Sequence, residues 1–124
     1  MNIRLRHGLP YVSVSLSHLG KQALLKNTLI DTGSTGTVFS IDKVIPLGLQ
    51  VEPDDPIREI RGVGGTEFVF IKQIDFLSFG DFIINNFKIE IGAMNYGFDI
   101  DGIIGLDVLL QAKVIIDFKQ MIIQ

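Results

Sequence analysis

A chain of 124 residues supports one domain with a single core and is short for a two-lobed enzyme; with 47% hydrophobic residues and a positive mean hydropathy, either that core is unusually apolar or a partner covers apolar surface. Cysteine is absent, which excludes disulfides, thiolate metal sites and cysteine nucleophiles, and 14 acidic against 11 basic residues without a basic cluster exclude the footprint of a nucleic-acid binder. The start, Met1 to His7, lacks the apolar core of a signal peptide and no apolar run reaches spanning length, so a cytoplasmic protein with no membrane partner is expected.

Strand patterns dominate from the N-terminus onward. Tyr11 to Leu16 alternates Val12, Val14 and Leu16 against Ser13 and Ser15, the period of a half-buried strand, and after a turn at Gly20 the run Ala23 to Ile30 reads as a second. Ser40 is placed to cap a helical turn through Val44 that Pro46 ends, and Glu52-Pro53-Asp54-Asp55-Pro56 reads as a stiff loop. Ile57 to Arg61 and Glu67 to Ile74 flank Gly62-Val63-Gly64-Gly65-Thr66, which predicts a β-hairpin whose tip has few side chains to anchor it. A phosphate cradle is disfavoured there, because neither glycine-rich phosphate motif is present and no helix follows. Turn signals at Gly80-Asp81 and Asn85-Asn86 separate Phe82 to Ile84 from the alternating run Phe87 to Ile91. Leu106 to Ala112 carries good helix formers, and Val114 to Phe118 reads as a last strand. No linker or repeat interrupts residues 1–124, which form one mainly β domain.

Residues with chemistry are few. The run Thr28-Leu29-Ile30 delivers Asp31 to a strand end, where Thr32 and Gly33 begin a sharp turn. A carboxylate there, backed by core, is costly unless backbone N–H groups or a second carboxyl sharing a proton relieve it, and such relief tunes an acid for proton transfer; an Asp-x-Gly turn of purely local purpose is the competing reading. Gly102-Ile103-Ile104-Gly105-Leu106-Asp107 sets an apolar pair between glycines that allow another backbone to pass close, with Asp107 near a helix N-terminus, where negative charge is favourable. His7 and His18 each lie beside a turn with no matching acid or nucleophile and read as solvated. Ser34 lacks the hydrolase-elbow context, and Asp99 with Asp101 lacks the remaining ligands of a calcium loop, so both aspartates read as solvated loop and no metal site is expected. Phe68 and Phe70 read as core or pocket wall.

Taken together, Leu29 to Gly33, then Gly62 to Thr66, then Ile103-Ile104-Gly105-Leu106-Asp107 resemble, in order and over most of the chain, the retropepsin-like aspartic proteases, single-lobed homodimeric relatives of the pepsins with bacterial members. The resemblance implies an acid-protease β-barrel with one short C-terminal helix, no cofactor, a homodimer, and a peptide or protein substrate. It implies that Asp31 of two chains forms the catalytic pair, with Thr32 bonding across the twofold and Gly33 offering its N–H to the carboxylate; Ser34, where the retroviral members carry alanine and pepsin lobes serine, brings a hydroxyl that can donate to the same group. Gly62, Val63, Gly64 and Gly65 would form a substrate-covering flap. The chain departs from the retroviral members at Thr35 and Leu106, which stand where those carry an acid and an arginine. Both halves of that ion pair are gone together, so dimerisation must rest on other contacts, the ends Asn2 to Arg6 and Lys119 to Ile123 being the family's candidates. A non-catalytic peptide-binding or dimerisation module on the same barrel is the rival reading, since fold does not fix function.

Overall fold

The computed structural model describes residues 1–62, 65–96 and 99–124. Among the described residues ten strands follow in chain order: β1 (Arg4–Arg6), β2 (Leu9–His18), β3 (Lys21–Ile30), β4 (Val38–Ser40), β5 (Ile57–Gly62), β6 (Gly65–Phe79), β7 (Phe82–Gly92), β8 (Gly102–Ile104), β9 (Ile116–Asp117) and β10 (Ile122–Ile123). Helix α1 (Ile41–Val44) runs into a 3-10 turn (Ile45–Leu47), and α2 (Leu106–Ala112) follows β8. Among the described residues no helix is long and apolar enough to cross a membrane.

Eight strands form one sheet in the order β1-β2-β3-β8-β4-β7-β6-β5, and β2 also pairs with β6 through Ser15, Leu16 and Ser17 opposite Ser78, Leu77 and Phe76. That extra pairing closes β2, β3, β8, β4, β7 and β6 into a ring, so the mainly β acid-protease fold is realised as a small barrel whose inner face must be filled by side chains. Val12, Val14 and Leu16 of β2 all turn inward and are wholly buried, as their alternation requires, and each contributes roughly 1.5–3 kcal/mol of apolar burial. A register shift between Val12 and Val14 bends β2, and Tyr11, on the opposite face, is buried in a second and smaller cluster with Val38, Val69, Met94 and Ile100. The barrel therefore carries its main core on one side of β2 and the lining of a cleft on the other.

Several local expectations are corrected. Asn85-Asn86 is not a turn: β7 runs through it with Ile74 opposite Phe87 and Phe76 opposite Asn85, and Asn86 absorbs the irregularity at φ 52°, which asparagine tolerates. The helical turn runs through Val44 as expected, but Ser40 makes no capping bond, and Pro46 does not stop the helical backbone: it is the second residue of the 3-10 turn that continues it, where its missing N–H costs nothing. The last strand contracts to Ile116–Asp117, paired with Ile122–Ile123. The two chain ends zip to each other within one molecule: the Met1 amine donates to the Ile123 carbonyl at 2.8 Å, and Ile3 N–H to Met121 O at 2.8 Å. The loop through Glu52 and Asp55 is stiff for a reason beyond its prolines, since Lys72 reaches both carboxylates, at 2.7 and 2.9 Å.

Candidate active site

Parallel pairing of β3 with β8, Leu29 opposite Ile103 and Ile30 opposite Ile104, brings the two sequence motifs side by side. Asp31 leaves the end of β3 with its N–H still on the Ile104 carbonyl at 3.0 Å, so β8 holds the backbone that presents the acid. The chain then turns: Ser34 N–H bonds Asp31 O at 3.2 Å, and Gly33 N–H donates to Asp31 Oδ1 at 2.9 Å. The relief that a strand-end carboxylate needs is thus supplied by a backbone donor, as the resemblance implied for Gly33. Asp31 is half-buried and Thr32 exposed beside it.

Ser34 is placed differently from its expected role. Its hydroxyl donates to Gly36 O at 2.7 Å, closing the loop on itself instead of reaching the Asp31 carboxylate. Its carbonyl accepts Leu106 N–H at 2.8 Å, tying the loop to the start of α2. Gly105 is indispensable in this crossing: a Cβ there would lie 2.8 Å from Ser34 O and closer still to the Gly36 carbonyl. Ile104 is wholly buried in the core, whereas half-buried Ile103 faces the cleft cluster.

Asp107 does more than face a helix end. Thr37 Oγ1 donates to its Oδ1 at 2.6 Å, Thr37 N–H to its Oδ2 at 3.2 Å, and Val108 N–H to Oδ1 at 2.8 Å. The same Thr37 hydroxyl accepts Gly105 N–H at 3.0 Å. This network welds the loop that follows Asp31 to the helix that follows β8, and Thr37, which carries it, had no signal in the sequence beyond being a polar residue before an apolar pair.

Asp31 stands on a cleft of about 1500 Å³ whose apolar wall includes Leu29, Val38, Ile60, Ile100 and Ile103. Its far side is the β5–β6 hairpin, paired from Ile57 opposite Phe70 out to Gly62 opposite Gly65. Val63 and Gly64 of the expected flap lie outside the described residues, and Gly65 takes φ 117°, a conformation that favours glycine. Phe70 is core, but Phe68 is exposed and lines neither core nor cleft. Three glutamates that sequence reading passed over, Glu59, Glu67 and Glu90, also line the cleft. Glu67 accepts Met94 N–H at 3.2 Å and the Tyr96 hydroxyl at 3.0 Å; burial, reinforced by that carboxylate, pushes the tyrosine up to about 12. Glu90 pairs with the Arg58 guanidinium, and burial raises its carboxyl above the usual range, with Arg58 opposing and Asp107 adding to the rise.

The other polar candidates are also resolved. His18 is half-buried with Nδ1 3.6 Å from Asp75, so it has the neighbouring acid that its sequence context hid, and His7 is exposed in the turn before β2. Asp101 is not solvated: it is buried, accepts Asn27 N–H at 3.0 Å and lies 3.5 Å from Lys43. Among the described residues no group of three or more histidine, aspartate or glutamate side chains is arranged to hold a metal ion.

A family model described as aspartyl protease matches residues 14–108, a span that takes in the Asp31 loop, the hairpin and the Ile103 to Asp107 segment. No curated protein matches the chain.

Proposed function

The chain belongs to the retropepsin-like aspartyl proteases, and from that premise we propose that it is a homodimeric endopeptidase hydrolysing peptide bonds with a water held between the Asp31 carboxylates of two chains. The observation that carries this is the setting of Asp31: one carboxylate on the lip of the cleft, given a single backbone donor by Gly33, half of what acid and base catalysis requires. The other acids of the cleft have other settings. Glu67 is bonded to Tyr96 and Met94, Glu90 is paired with Arg58, and Glu59 is exposed on the hairpin.

Across a twofold axis the two Asp31 carboxyls would share one proton, because like charges in contact cannot both ionise, an effect for which aspartic proteases are the standard example. The ionised member takes a proton from water as its oxygen attacks the scissile carbonyl carbon. The protonated member donates to the carbonyl oxygen, and collapse of the tetrahedral adduct sends a proton to the leaving nitrogen. Thr32, exposed beside Asp31, is available to bond across the twofold. The β5–β6 hairpin would close over an extended peptide and pair with its main chain as an added strand, excluding water.

The test is cleavage of a mixed-sequence peptide library by the parent chain and by Asp31→Asn, with the new termini read by mass spectrometry. The parent should cut and the variant should not, while melting at the same temperature, since Asp31 lies at the cleft mouth and asparagine keeps its shape. Equal cutting by both removes Asp31 from the chemistry. A parent that binds library peptides without cutting them supports the binding-module reading.

A further inference from the structure

Glu90 lies on β7 with 7% of its surface exposed, yet it lines the cleft that holds Asp31. One of its oxygens, Oε1, takes the Arg58 guanidinium, whereas Oε2 is buried and has no hydrogen-bond donor among the described residues. A buried ion pair serving stability alone is best when both carboxylate oxygens are satisfied, and arginine's fork is shaped to do that. Here the second oxygen is left over.

The surrounding backbone is shaped around this carboxylate. Gly36, five positions beyond Asp31, is buried in the loop facing Glu90, and a Cβ on it would collide with the Glu90 carboxylate and come within 3.2 Å of Arg58 Nη2. Glu90 N–H meanwhile holds Thr37 O at 3.0 Å, fixing β7 against the residue that anchors the Asp31 loop. Asp107 is near enough to act on Glu90 electrostatically, so Glu90, Asp107 and Arg58 together leave one uncompensated negative charge. Leu29, Val38, Ile60 and Ile103 line the same cleft and offer apolar surface to a long aliphatic stem.

We propose that Glu90 is the base of a substrate subsite that takes a basic side chain, lysine or arginine, one such subsite being supplied by each protomer. This rests on the peptidase reading of the cleft. On binding, the Glu90 carboxylate turns Oε2 toward the cleft to take the cation's N–H groups; the cation's charge balances the local excess, and its stem lies on the apolar wall. Arg58, half-exposed, stays on Oε1 and orients the carboxylate. Glu90 and Gly36 then set specificity without touching the scissile bond.

The experiment measures binding of fluorescent peptides to the 124-residue Asp31→Asn chain, with one position at a time changed among lysine, acetyl-lysine and norleucine, in parallel with cleavage of the same peptides by the parent. At one position lysine should bind about tenfold more tightly than the other two, the size of one charge-assisted contact, and the preference should vanish in Asp31→Asn/Glu90→Gln. Equal affinity for the three side chains at every position overturns the proposal, as does a lysine preference that survives Glu90→Gln. The three-peptide comparison needs no change at Glu90, so it can overturn the proposal even if that variant fails to fold. Absence of cleavage with a lysine preference in binding would reject the peptidase reading and keep the subsite; cleavage without the preference would do the reverse.

Discussion

Thr37 and Asp107, seventy positions apart, are joined twice: the threonine hydroxyl bonds Oδ1 at 2.6 Å and the threonine N–H bonds Oδ2 at 3.2 Å. Because the hydroxyl also accepts Gly105 N–H, one side chain fixes both the loop carrying Asp31 and the segment crossing beneath it. Thr37→Val keeps the shape and removes both bonds of the hydroxyl, leaving the Gly105 N–H buried without a partner. The expected cost is about 2 kcal/mol in urea denaturation, with a fall in peptide turnover that exceeds any change in substrate binding. Unchanged stability would mean that the backbone bond alone holds the two loops.

What the sequence showed and what it hid divide along a physical line. Alternation in β2 and β7, the hairpin of β5 and β6, α2, and the close backbone passage at Gly105 were legible because each is dictated by local period, turn chemistry or small-residue spacing. Thr37, Glu67, Glu90 and Asp101 were not, since their roles come from contacts between residues far apart in the chain. Glu90 is the clearest case. In the run Phe87 to Ile91 it occupies a polar, outward-reading place, and what lies over its carboxylate, the loop at Gly36 and the Arg58 side chain, comes from distant parts of the chain. Ser34 failed for a related reason: a hydroxyl two residues from a free carbonyl bonds locally before it can reach across a turn.

The dimer reading makes a prediction about mixtures. If each active unit needs Asp31 from two chains, equal amounts of parent and Asp31→Asn chain, allowed to exchange, should give about a quarter of the activity of the same total amount of parent, because only parent–parent pairs work. Activity should also fall more steeply than concentration on dilution through the dimer dissociation range. Half the activity in the mixture, with none of that curvature, would show that a single chain is sufficient.

Ser34→Ala removes a hydroxyl that serves the Gly36 carbonyl and leaves the Asp31 carboxylate's Gly33 donor in place. The pH–rate profiles of parent and variant should therefore overlay, and the stability loss should be about 1 kcal/mol, that of one ordinary hydrogen bond. A basic limb displaced upward in the variant would instead show that the hydroxyl turns to the acid pair during the reaction.

Glu90 contributes to the pH dependence of folding in a direction opposite to that of most paired carboxylates. Its carboxyl is raised above the ordinary 4.5 by burial, with the nearby Asp107 adding to the rise and Arg58 opposing it. The folded chain accordingly holds this proton at a pH where the unfolded chain has released it. The resulting contribution to stability is present in full below about pH 4.5, the unfolded value, and is lost as pH rises through the folded value. Glu90→Gln removes the titration and leaves only a constant difference from the altered contact with Arg58. Denaturation of parent and variant across the acidic to neutral range should show the difference moving in the variant's favour with rising pH, then levelling once Glu90 is ionised in the folded parent. A difference that moves in the parent's favour over the same range would mean that the Arg58 guanidinium outweighs burial, and that Glu90 is held as an ordinary low-titrating ion pair.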